Sequence, residues 1–195
     1  MTELGNRRRL AAATAIALAV AACSGGDEAG EQAAQTEVSD ETLATLVAGD
    51  ANLATASQAV EETGLAQVFE GVAAYTFLAP TDEAFDRLGE ASADLRSPEQ
   101  RPAMAAILRD HIVPGYLTPD DIRNAIELSD DDRVEMRTTG GHVLTFTADS
   151  DAITVAAEDG ATAQFAGEAL RARNGVAIPL DGVLKATNEA QSGAE

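Results

Sequence analysis

The chain has 195 residues and a formal net charge of −20, from 13 basic and 33 acidic side chains. A surface this negative repels phosphate backbones and argues against a nucleic-acid partner. Apolar residues make up 45% of the sequence but aromatics only 4%, with no Trp, so a one-domain core must be built from Ala, Val, Leu and Ile. The single cysteine, Cys23, excludes an internal disulfide.

The N-terminus reads as an address. Arg7, Arg8 and Arg9 precede an uncharged run from Leu10 to Ala22, the layout of an export signal. At 13 residues the run is shorter than the roughly 20 that a membrane-spanning helix needs. Val20, Ala21 and Ala22 lead into Cys23, which resembles the bacterial lipobox: cleavage before the cysteine, then a diacylglycerol on its thiol. The expectation is a signal peptide over residues 1–22 and a membrane contact through a lipid on Cys23. The location that follows is the cell envelope. By resemblance to enterobacterial sorting, Ser24 after the cysteine favours the outer membrane over retention at the inner one, so the expectation is a domain at the outer membrane or facing the periplasm. Residues 23–38 are acidic and polar, with little to bury, and are expected to be a disordered tether. A similar tail is expected over 189–195.

The folded part is expected over 39–188. Leu43, Leu46 and Val47 share a helical face that Gly49 ends. Asp50 is placed to cap a second helix carrying Leu53, Ala56, Ser57 and Val60. Thr76 to Leu78 reads as a short buried strand, which Ala79-Pro80 ends. Thr81 then caps a helix with Asp82 and Glu83 in its first turn and Phe85 and Leu88 facing inward. Ser97, Pro98 and Gln100 predict a capping box before a stripe of Met104, Ile107 and Leu108. Thr118-Pro119-Asp120-Asp121 repeats the device ahead of Ile122 and Ile126. From Arg133 the period changes to two. Val134, Met136 and Thr138 alternate with charges, Gly140-Gly141 turns the chain, and Leu144 and Phe146 follow. Ile153 and Val155 share a face of the next strand. Asn174-Gly175 predicts a hairpin turn at positive φ, leading to Val176, Ile178 and Leu180. Pro179 lacks an N–H, which predicts an edge or an irregularity there. Helices followed by a run of antiparallel strands give an α+β class.

Three segments, in order, resemble the fasciclin domain family: TFLAPTDEAF (Thr76–Phe85), LRDHIVPG (Leu108–Gly115) and NGVAIPLDGVL (Asn174–Leu184). The resemblance implies a fasciclin-like fold, with N-terminal helices packed on an antiparallel β-sheet wedge, and a binding role, with adhesion to a protein or polysaccharide. It is similar to the single-domain fasciclin lipoproteins of bacteria. The residues it singles out, for binding or for structure, are Thr76, Pro80, Thr81, Phe85, His111, Ile112, Val113, Pro114, Gly115, Asn174, Gly175 and Asp181. Animal relatives carry a Tyr-His pair implicated in integrin adhesion. Here Asp110 stands where the Tyr would be, which weakens that carry-over. Some fasciclin-like proteins bind carotenoids, so a carrier of a small apolar ligand is the alternative.

The chemistry-bearing residues are sparse. His111 ends a helix, where an imidazole can meet free carbonyls and hold the helix to the next strand. His142 follows two glycines and reads as exposed. No nucleophile-plus-base pair, phosphate loop or zinc motif can be assembled, so no catalytic residue, metal or cofactor is expected. Ser129-Asp130-Asp131-Asp132 lacks the spacing of a calcium loop and reads as a solvated turn.

Overall fold

The computed structural model describes residues 38–150 and 152–185. The expected signal peptide, Cys23, nearly all of the tether and the C-terminal tail lie outside the described residues.

Seven helices and eight strands are described. The first three helices are α1 (Leu43–Gly49), α2 (Ala54–Glu62) and α3 (Ala66–Glu70). Strand β1 (Tyr75–Pro80) precedes α4 (Asp82–Asp86), α5 (Glu90–Leu95) and α6 (Arg101–Asp110). Then come β2 (Ile112–Pro114), α7 (Pro119–Glu127) and the strands β3 (Arg133–Arg137), β4 (Val143–Asp149), β5 (Ala152–Ala157), β6 (Thr162–Gln164), β7 (Leu170–Ala172) and β8 (Gly175–Leu180). They form two four-stranded sheets, ordered β2-β1-β8-β7 and β3-β4-β5-β6. The second sheet is antiparallel throughout, whereas β1 and β8 run parallel.

Strand alternation divides the apolar residues into two cores. Phe77, Ala79 and Ala177 point to the helices and pack with Leu43, Leu53, Phe69 and Leu108. Leu78, Val176, Ile178 and Leu180 point the other way and pack with Phe146, Ile153, Val155 and Ile122. The first sheet is thus a partition with helices on one side and the second sheet on the other. The few aromatics are placed where they fill most. The Phe69 and Phe77 rings sit 5.1 Å apart in the helical core, and Phe146 and Phe165 meet edge-on at 6.3 Å in the other.

Local signals hold where they are self-contained. The Thr118 hydroxyl accepts the Asp121 N–H and Asp121 answers to the Thr118 N–H, completing a capping box with Pro119 at the first position. Thr81 caps α4 by accepting from the Ala84 N–H. Four expectations are corrected. Asp50 does not cap α2; its carboxylate takes the Asn52 N–H, and the α2 amide of Thr55 is satisfied instead by Asp82, at 2.7 Å. Ser97 makes no side-chain cap, because Pro98–Gln100 is a 3-10 turn and α6 begins at Arg101. The β7–β8 hairpin forms, but Ala172 pairs with Gly175, so its two loop residues are Arg173 and Asn174, neither at positive φ. Finally, of the edge or irregularity expected at Pro179, the edge is ruled out, since β8 is interior and buried along its whole length, and the irregularity is present, since the ladder with β7 stops short of Pro179. The Pro179 carbonyl accepts from the Ala166 N–H, so its nitrogen faces the same side. There β7 has already ended, its Leu170 pairing with Ala177, and no ladder donor is needed.

Candidate functional site

The three motifs converge on one sheet. TFLAP supplies β1, IVP supplies β2 on one side of it, and NGVAIPL supplies β8 on the other. Most of their residues are buried ties. The Thr76 hydroxyl donates to the Gly115 carbonyl and accepts from the Leu117 N–H, each at 2.9 Å, fixing the turn after β2. Gly115 sits at φ 113°, a conformation that favours glycine. Pro80 closes β1 opposite Leu180, the Thr81 N–H donates to the Leu180 carbonyl, and Phe85 is buried in the helical core. Asn174 accepts the Leu43 N–H at 2.8 Å and donates to the Phe69 and Gly71 carbonyls, both at 2.7 Å. A side chain on Gly175 would collide with the Tyr75 carbonyl and come within 2.9 Å of Leu43. Asp181 accepts the Gln164 N–H at 2.6 Å, binding the end of β8 to β6.

His111 is the deepest of these ties. It caps α6, where its backbone N–H donates to Leu108, and it is fully buried. Its Nε2 accepts the Leu184 N–H at 3.0 Å, so Nδ1 carries the proton and donates to the Ile107 carbonyl at 2.8 Å. Burial lowers its pKa to about 4, against smaller upward pulls from the Ile107 carbonyl and from Asp110. The ring is therefore neutral near pH 7, joining α6 to the C-terminal motif. Ile112 and Val113, next in the chain, are buried in opposite cores.

Asp110 is half-buried, at the edge of the surface. Its Oδ1 lies 2.7 Å from Nδ1 of His142 and also accepts the Thr138 hydroxyl at 3.3 Å. The hydrogen bond and charge of Asp110 raise the His142 pKa above its ordinary value. Gly140 lets the pair form, since a Cβ there would run into the Asp110 carboxylate. The β3–β4 turn is stitched to the same helix end. Thr139 N–H donates to Ile112, Gly140 N–H to Arg109, and the Thr139 hydroxyl to the Arg109 carbonyl.

The Asp110–His142 pair stands on a ridge between two concavities. One, about 660 Å³, has an apolar floor of Ala91, Leu95, Ala103, Ala106 and Ile107. The other, about 270 Å³, is lined by Leu144, Ala157, Leu184 and Glu158. Asp110, His142 and Lys185 border both, and Lys185 is held by Asp159 at 3.2 Å. His142 is exposed, as its place after two glycines predicts, but its partner Asp110 is not predicted by the sequence. The available signals were the carboxylate at 110 and the glycine pair at 140–141, which only the fold joins. Among the described residues no group of three His, Cys, Asp or Glu side chains is arranged to hold a metal ion, and no helix is long and apolar enough to cross a membrane.

Comparison with known proteins bears on this arrangement. The sequence profile of the Fasciclin domain matches residues 51–186. Protein sll1483 from Synechocystis sp. is 27% identical over 106 residues, an alignment covering 54% of each chain. The present chain thus spans about half the length of that relative. A solved FAS1 domain pair from the insect cell adhesion molecule Fasciclin I is similar in fold, with a TM-score of 0.66 at 13% identity. That match covers 75% of this chain and 51% of the other.

Proposed function

The chain belongs to the fasciclin domain family, and on that premise we propose that it is a non-catalytic binding module held at the cell envelope by a lipid on Cys23. It serves adhesion, and its partner is a protein or a polysaccharide. The observation that carries the reading is the ridge. The second motif buries His111 as a tie, and the adjoining half-buried Asp110 holds the exposed His142 imidazole between two grooves. A partner there meets hydrogen-bonding groups over an apolar floor, the usual composition of a recognition surface. The test pairs two variants with one parent. Asp110→Ala/His142→Ala should keep the parental melting temperature within a few degrees and lose attachment of cells or capture of the partner. Unchanged attachment by the folded double variant would refute the site. Cys23→Ala should leave a precursor that no longer partitions into detergent as a lipoprotein.

The Ala-rich floor of the larger groove supports a second reading, carriage of a small apolar ligand such as a carotenoid. Absorbance and extractable-ligand mass spectra of the purified chain decide it. A stoichiometric chromophore favours carriage, and an empty spectrum from native cells removes it.

A further inference from the structure

Sheet edges leave backbone donors and acceptors unused, and folded proteins usually cover or blunt them. Among the described residues, three of the four sheet edges are treated that way. Along β7, Ser39 N–H donates to Arg171 and Arg173 N–H donates to Glu41. Along β6, Asp181 N–H donates to Gln164, whose own N–H is taken by the Asp181 carboxylate. Strand β2 is three residues long and ends in Pro114, and its Ile112 carbonyl accepts from Thr139 at 2.8 Å.

Strand β3 is the exception. The Thr138 N–H donates to the His142 carbonyl at 2.8 Å, which sets the parity of the ladder. Thr138, Met136 and Val134 turn their backbone groups to β4, so those of Arg133 and Glu135 point away from it. Among the described residues no hydrogen bond reaches them. Both side chains are exposed, and neither has an ion-pair partner there.

The charges on this edge alternate: Arg133, Glu135, Arg137. That pattern discriminates among ways of laying a second, antiparallel copy against it. With Glu135 on the two-fold axis, Glu faces Glu and Arg133 faces Arg137, which is repulsive. With Met136 on the axis, Glu135 of each copy lies opposite Arg137 of the other, but Arg133 then faces Thr139, whose N–H is committed to Ile112, whereas the Val134 register sets Arg137 against Asp131 at the same place. With Val134 on the axis, Arg133 of each copy lies opposite Glu135 of the other.

We propose that the β3 edge pairs with the same edge of a second copy of this chain, antiparallel and centred on Val134. The contact is short, so the dimer is weak in dilute solution. Confinement at a membrane raises the effective concentration and makes such a contact count. That last step rests on the proposed lipid anchor, whereas the pairing does not.

The test is sedimentation of the full chain in excess mild detergent across a concentration series, with hydrogen exchange at the highest and lowest points. The parent should dimerise, and the Arg133 and Glu135 amides should gain protection as concentration rises. Arg133→Glu and Glu135→Arg should each weaken the dimer about tenfold, since two cross-strand pairs are lost. The double reversal should restore it to within about threefold of the parent. Glu135→Pro, which removes an outward N–H, should abolish the dimer while keeping the fold. A chain that stays monomeric up to about 1 mM, or a dimer indifferent to single reversals, would overturn the proposal. So would failure of the double reversal to rescue. Failure here leaves the ridge and the anchor standing, because neither uses this edge.

Discussion

The two histidines occupy opposite environments on either side of Asp110. His111 is fully buried, neutral, and bonded through both ring nitrogens to backbone groups. His142 is 62% exposed at its side chain and bonded to a carboxylate. The first holds elements together, and the second presents a polar group to solvent. Adjacency to a family motif therefore does not by itself make a residue a binding residue. Within RDHIVPG, Asp110 stands where the resemblance breaks, and its half-buried carboxylate positions the exposed imidazole of His142.

The comparison breaks most sharply at His111. His111→Ala should cost roughly 3 kcal/mol or more, because it opens a cavity and strands the Leu184 N–H and the Ile107 carbonyl. Thermal melts of parent and variant measure this. A variant as stable as the parent would remove His111 from the structural class. The same group also predicts an acid effect. Its folded pKa of about 4 lies below the unfolded value of about 6.5, so the unfolded chain binds the extra proton first. Stability from this group is complete above pH 6.5 and is lost as pH falls toward 4. The loss is of the order of 3 kcal/mol. Denaturant melts across that range should show a slope that flattens in His111→Gln.

Asn174→Ala tests a second buried tie. It deletes one acceptor and two donors that join α1 and α3 to the β7–β8 hairpin. A loss of about 2 kcal/mol is expected by the same melts. On the exposed side the effects are smaller and different in kind. Asp110→Asn, and Gly140→Ala by displacing the carboxylate, should lower the His142 titration midpoint and barely move the melting temperature. The sign is opposite to that of His111. The folded pKa of His142 is raised, so its contribution is present below about pH 6.5 and fades as pH rises through the folded value. A histidine titration followed by NMR reads the shift directly.

Much of the fold was legible because its signals are local. The capping box at Thr118, the Thr81 cap, the alternation in β3 to β5 and the glycine-pair turn each depend on residues within a few positions. The failures share a cause, which is that the deciding partner is distant in sequence. Asp50 was the nearest cap for α2, yet Asp82 supplies it. Pro179 argued for an edge, yet what matters is where β7 stops. The motif residues were found by resemblance, and their neighbourhood in β2-β1-β8 makes sense of their being singled out. The Asp110–His142 pair was not legible, since no local rule joins residues on a helix end and a hairpin.

The most direct test of the account is one pH titration of the full chain that follows both imidazoles by long-range nitrogen NMR. His111 should stay in the Nδ1–H tautomer and titrate near pH 4, while His142 should titrate above its ordinary value. Both rings titrating together near pH 6.5 would contradict the division between a buried tie and an exposed ridge.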